Sequence, residues 1–219
     1  MKAGFAFAIA AVAGSVALGA GEPKSGRIEN PQTAADLIAF NQNVRVGVAI
    51  PGEGRINRRE GILTRWELPI PVAVDKSITS NKVAEAIAYW HAATGLEFMQ
   101  VDAKAEPRLV YRAATADELH TAIGLGLIYR TYSNNRAQRG VVKIGTEYAG
   151  CTTRCGNVYT HELGHVIGIL SHMDGGGGVM AATNAGPNAS TREINMLVQL
   201  YQLPHGVKIE PDGSWKVVR

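Results

Sequence analysis

The sequence predicts an α+β fold of one domain built on a mixed, partly parallel sheet, and three observations predict it. Apolar residues make up 46% of the 219, enough to form a real core. From Trp66 onward, short alternating apolar runs take turns with stretches of helical spacing, an order that favours parallel strands joined by crossovers. Late in the chain, "STREINMLVQLYQL" carries helical periodicity and leads into a hairpin pattern, so a helix and a small antiparallel element close the domain.

In chain order, residues 1–20, "MKAGFAFAIAAVAGSVALGA", combine a basic start at Lys2, an apolar stretch and small residues between Ala17 and Gly21. That pattern is a secretory signal peptide; a membrane anchor is the alternative, and it lacks a charged stop. Residues 21–60 read as a pro-segment or N-terminal extension. Within them "GEPKSGRIENPQ" has no periodicity and suggests a mobile linker, "TAADLIAF" suggests a helical turn or two, and "VRVGVAI" at Val44–Ile50 alternates like a strand. "PGEGRINRREG" breaks that strand and carries a dibasic pair, Arg58 and Arg59, as a candidate processing site.

Residues 61–219 form the expected main domain. "WELPIPVAVD" is a strand, and "TSNKVAEAIAYWHAATG" is a helix with Val83, Ile87 and Trp90 on one face, a cap at Ser80 or Asn81, and a stop at Gly95. "LEFMQVD" and "RLVYRAA" add two strands. A Gly-rich and Tyr-rich stretch runs to Arg139, after which "GVVKIGTEY" alternates as an edge strand would. In the last helix Ser190 and Glu193 make a capping box, Ile194, Leu197, Val198 and Tyr201 make the apolar face, and Pro204 ends it. "VKIE", "PDGS" and "WKVV" form the hairpin.

The formal charge of +3 arises from scattered Lys and Arg with no long basic run, which argues against nucleic acid or an acidic membrane as partner. Export implies an oxidising compartment, secreted or periplasmic, where Cys151 and Cys155 are expected to form a small-loop disulfide. A reduced CxxxC pair on metal is the alternative, and it offers only two ligands.

The chemistry concentrates in "VYTHELGHVIGILSHMD". His161 and His165 are one helical turn apart on one face, so both imidazoles can reach one zinc ion at roughly 2 Å. Glu162 is rotated by about 100° from the first ligand, where it can approach a metal-bound water without occupying the metal. Gly164 and Gly168 each cost a helix about 1 kcal/mol relative to alanine and therefore want a structural reason. If the helix continued through Gly168, His172 would lie roughly 10 Å beyond His165 along the axis. A shared ion therefore requires the chain to turn back at Gly168. His172 is the first choice as third ligand because imidazole suits zinc, with Asp174 next and Ser171 last.

These residues resemble the metzincin zinc endopeptidase pattern HExxHxxGxxH, with His161, Glu162, His165 and Gly168 matching position by position. Ser171 stands where the third histidine is expected and His172 follows, a return one residue longer. Met180, eight residues after His172, resembles the Met-turn of matrixins, and the terminal helix resembles theirs. Astacins are the second choice, although no tyrosine follows Met180 as in astacins and Met173 stands where they carry glutamate. No cysteine precedes residue 151, so a cysteine latch is excluded and an aspartate latch through Asp36 is the alternative.

The resemblance implies a metzincin-like domain with a twisted mixed sheet, an active-site helix, a Met-turn and a C-terminal helix. It implies a secreted metalloendopeptidase with one catalytic zinc, bound by His161, His165 and His172, whose water is activated by Glu162. Calcium is a further ion that no motif specifies. The expected partner is an extended peptide or protein, paired to the strand "VVKIGTEY", with no membrane after signal cleavage and the chain acting as a monomer. The alternatives are a catalytically inactive secreted binding protein on the same scaffold, or a structural zinc site closed by protein.

Overall fold

A five-stranded mixed sheet and a three-stranded antiparallel sheet organise the chain, whose computed structural model describes residues 23–44, 61–102, 104–119, 122–130, 136–150, 157–173, 177–182 and 186–218. The expected α+β class and mixed sheet are thus observed. The signal segment 1–20, the strand expected at residues 44–50 beyond its first residue, the Arg58–Arg59 pair, Cys151 and Cys155 lie outside the described residues. No helix among the described residues is long and apolar enough to cross a membrane.

The chain enters through β1 (Ser25–Arg27) and α1 (Pro31–Leu37), where Asn30 caps the helix by accepting the Thr33 amide at 3.1 Å and Pro31 fixes its first turn. One wider turn, Ile38–Gln42, extends α1 with a five-residue hydrogen-bond step from the Asn43 amide to the Ile38 carbonyl. The polar stretch after residue 22 is therefore not a linker. Its three strand residues are all exposed and pair with the far end of the chain, so no apolar period could reveal them.

Next come β2 (Ile70–Val74), α2 (Ser80–Thr94), β3 (Phe98–Gln100) and β4 (Arg108–Ala114), all expected. Gly95 ends α2 at φ 75°, a left-handed conformation that suits glycine. A short α3 (Ala116–Leu119) leads to β5 (Gly124–Arg130) and β6 (Ala137–Gly145), and α4 (Thr146–Ala149) follows. In the sheet order β3-β2-β4-β6-β5, all pairings are parallel except β5 with β6. "GVVKIGTEY" supplies β6, which is an inner strand with a partner on each side. The edge strand on its side of the sheet is β5, from the Gly-rich stretch, and β3 is the other edge. Alternation marked β6 as a strand, but glycines that pack against a helix hid its neighbour.

The chain then forms α5 (Val158–Ile167) and α6 (Thr191–Gln202), and ends in β7 (Val207–Ile209) and β8 (Ser214–Val217), which β1 completes to a sheet of order β1-β8-β7. The Ser190–Glu193 capping box is present. The buried face of α6 is Glu193, Met196, Leu197 and Leu200, a rotation from the Ile194, Leu197, Val198 and Tyr201 face. The cause is Glu193, whose carboxylate turns inward to accept the Met180 amide at 2.9 Å and the Ser190 amide at 2.7 Å. Helix α5 lies between β5 and β6 on one side and α2 on the other, within a core that includes Trp66, Trp90, Tyr111, Leu163 and Met196.

Candidate metal centre

The C-terminal end of α5 carries backbone carbonyls without helical partners that a buried helix must satisfy, and side chains from three other segments do so. The indole of Trp66 donates to the Val166 carbonyl at 2.8 Å, the hydroxyl of Tyr201 to the Ile167 carbonyl at 2.9 Å, and the amide of Asn41 to the Gly168 carbonyl at 2.7 Å. The Trp90 indole donates to the Thr160 carbonyl at 2.9 Å further up the helix. The helix stops at Gly168, as expected. Its φ is 140°, and a Cβ there would collide with Leu200 Cδ2, so both backbone and space demand glycine.

Beyond that turn, the chain reverses and brings His172 back. One ligand nitrogen from each of His161, His165 and His172 can be chosen so that all lie within 4.8 Å of one another. The ring centroids are 4.8, 5.1 and 5.0 Å apart in the three pairs. His161 Nδ1 lies 2.7 Å from the Val179 carbonyl, and His165 Nδ1 lies 2.7 Å from the Ile169 carbonyl. A carbonyl only accepts, so each Nδ1 carries the proton and each Nε2 presents a lone pair. These two Nε2 atoms are 3.2 Å apart. Two nitrogens on one tetrahedral zinc at about 2.0–2.1 Å stand about 3.3–3.4 Å apart, which matches.

Electrostatics favour a cation there. Two lone pairs at that distance repel unless something positive lies between them. Burial, reinforced by the neighbouring His161, pushes His165 down to about 3, and burial lowers His161 as well, against the hydrogen bond that it donates to the Val179 carbonyl. Both imidazoles are neutral at pH 7, the form that binds metal. The residues present therefore fit a metal ion held by three histidines. Asp174, the second choice for third ligand, lies outside the described residues. Ser171 precedes the returning ring.

Glu162 is 6% exposed, and burial pushes its carboxyl up to about 8, opposed by a hydrogen bond from the Gly126 amide on β5. The strand reaches the helix this closely because it has glycine at alternate positions. A Cβ at Gly124 would stand 2.7 Å from Glu162 Cγ, and one at Gly126 would stand 2.8 Å from His165 Cβ. This pair went unread in the sequence, although "GLG" on one face of a strand was its signal. Gly164 has a similar reason: a Cβ there would strike Met180 Sδ, so the fully buried methionine lies directly beneath the helix between the two ligands. The Met173 amide donates to the Met180 carbonyl at 2.9 Å, closing the loop after His172.

Asp36 is not a latch on these histidines. It is 2% exposed, and its carboxylate takes the Arg192 guanidinium at 2.8 and 2.5 Å and the Gln32 amide at 2.9 Å. No family model matches the chain, and no curated protein matches it.

Proposed function

We propose that the chain is a secreted zinc-dependent endopeptidase of metzincin type, acting as a monomer on extended peptide or protein substrates. The observation that carries this reading is the convergence of His161, His165 and His172, with the buried carboxyl of Glu162 on the same helix as the first two. A zinc ion in a three-nitrogen set keeps an open position and supplies Lewis-acid polarisation and water activation. His172 is exposed and leaves one side of the set open to solvent, which suits a catalytic site better than a closed structural one.

Glu162 holds the proton in this scheme. Burial raises its proton affinity, which suits a carboxylate that takes a proton from the attacking water and then delivers it to the leaving amine. The Gly126 amide orients it. Met180 beneath Gly164 and the carbonyls of Val179 and Ile169 fix the two helix imidazoles, so their Nε2 atoms need no reorganisation. Among the described residues β5 pairs only with β6, and its outer edge offers main-chain groups to an extended substrate. That edge replaces the strand first expected to pair.

The test is cleavage of casein or gelatin by the purified chain. Expected are activity with zinc, loss with a chelator, recovery on adding zinc back, and loss in Glu162→Gln with zinc still bound. A zinc-loaded but inactive chain would overturn the protease reading in favour of a binding protein on the same scaffold.

A further inference from the structure

The third histidine needs a positioning device that the helix cannot provide. His161 and His165 are spaced by the helix itself, whereas His172 is exposed and follows a turn at a strained glycine. Two hydrogen bonds hold that turn from outside, and both come from the segment before residue 45. Asn41 Nδ2 donates to the Gly168 carbonyl at 2.7 Å, and the Leu170 amide donates to the Phe40 carbonyl at 2.8 Å.

The Asn41 side chain is fully engaged. It is 0% exposed; Nδ2 also donates to the Thr64 carbonyl at 2.9 Å, and Oδ1 accepts the Thr64 amide at 2.8 Å. The amide thus bridges the start of the main domain and the end of α5. The wide helical turn explains how it gets there. In an ordinary α-helix, consecutive residues point about 100° apart. In the widened turn Ile38–Gln42, both Asn41 and Gln42 are buried. Gln42 serves a different place: Nε2 donates to the Ile209 carbonyl at 2.8 Å, and Oε1 accepts the Ile209 amide at 2.6 Å, in the terminal hairpin.

We propose that Asn41, with the Phe40 carbonyl, is a positioning element of the metal centre, holding the 168–170 return so that His172 meets the helix pair. The segment taken in sequence as a pro-segment or extension is then a working part of the site and is not shed from it. This rests on the three histidines binding a metal, and it does not depend on peptide hydrolysis.

Asn41→Asp keeps shape and the acceptor for Thr64, but sets an oxygen against the Thr64 and Gly168 carbonyls. Gln42→Glu is the control: also buried, also bonded through both ends of its amide, adjacent in sequence, and anchored away from the return. Zinc affinity is measured by competition with a chromophoric chelator at a temperature where circular dichroism reports both variants folded. Asn41→Asp is expected to weaken zinc by about tenfold or more, the scale of losing a supporting partner of a ligand. Gln42→Glu is expected to stay within about twofold of the parent while losing comparable thermal stability. Equal affinities in the two variants overturn the proposal.

A second measurement needs no variant. Coupling is reciprocal, so zinc added to the parent chain should slow hydrogen exchange at the Thr64 and Leu170 amides more than at the Ile209 amide. Equal slowing at the three amides overturns the proposal even if Asn41→Asp does not fold. A parent chain that binds no zinc overturns the metal centre itself and this proposal with it.

Discussion

The helix α5 and the return that follows it each contribute to the same three-histidine set, by different physics. On α5 the spacing of His161 and His165 is a property of the helix, and the neighbouring carbonyls of Val179 and Ile169 only choose the ring orientation. On the return, local bonds such as that of the Met173 amide to the Met180 carbonyl hold the loop, but no helical repeat places His172. Its position depends on a glycine at φ 140°, a clash-free gap beside Leu200, and hydrogen bonds with Phe40, which accepts from Leu170, and Asn41, which donates to Gly168, more than a hundred residues earlier. A site built this way should fail in two distinct manners: chemically when α5 is altered, and geometrically when the return is.

The largest effect belongs to the chemistry. Glu162→Gln should lower peptide hydrolysis by about 10²–10⁴-fold while zinc content stays at the parent level, because in the proposed reaction the carboxyl transfers the proton and makes no metal bond. Assays of turnover and metal stoichiometry on the same preparation check this. Zinc lost along with activity would mean that the two functions of α5 are not separable.

Gly168→Ala addresses the return. A Cβ would add a strained φ and a collision with Leu200, at a cost of about 2–4 kcal/mol by the usual scale of such effects. Chemical denaturation of the metal-free chain measures the loss, and zinc competition measures the expected weakening. Unchanged zinc affinity in the folded variant would mean that the turn does not govern His172.

Glu193→Gln sharpens the contrast from a third direction. Its carboxylate, 1% exposed, holds the Met180 and Ser190 amides, and losing a charged acceptor there should cost about 1–3 kcal/mol. Denaturation is the readout, with the loss expected in both metal-free and zinc-loaded forms, since Met180 underlies α5 in each.

The effect with least bearing on the site is acid sensitivity away from it. Burial, with Arg65 and Arg136 nearby, holds His205 down to about 3, against about 6.5 when unfolded. The unfolded chain binds the extra proton, so this contribution is full above pH 6.5 and declines as pH falls toward 3. Glu118, bound by Arg112, is held down to about 2, and its contribution is full above the ordinary carboxylate range and lost as pH falls through 2. His205→Gln should flatten the stability profile between pH 6.5 and 3 and leave the lower limb intact. Stability followed by urea titration at several pH values would reveal an unchanged profile if His205 carries no such load.

What could be read in advance follows the same division. Periodicity gave away α2, α5, the boundaries of α6 and the hairpin, because those elements are specified within a few residues; the cap of α2 is Thr79, without a side-chain bond, and not the expected Ser80 or Asn81. The HExxH spacing and the need for a turn at Gly168 were legible for that reason too. β1 was not, since an exposed three-residue strand has no pattern and its partner is β8. The edge position of β5 was missed because Gly124 and Gly126 look like loop residues until a helix is packed on them. Asn41 was missed because its partners, Thr64 and Gly168, are 23 and 127 residues away. The rotation of α6 was missed because Glu193 reads as a cap and also reaches Met180.

The most direct measurement is the zinc X-ray absorption spectrum of the loaded chain beside that of His172→Ala. The account predicts three imidazole nitrogens at about 2.0–2.1 Å and one further light ligand in the parent, and one imidazole fewer in the variant. A spectrum that the substitution leaves unchanged would contradict it, because the ion would then be held without the returning histidine.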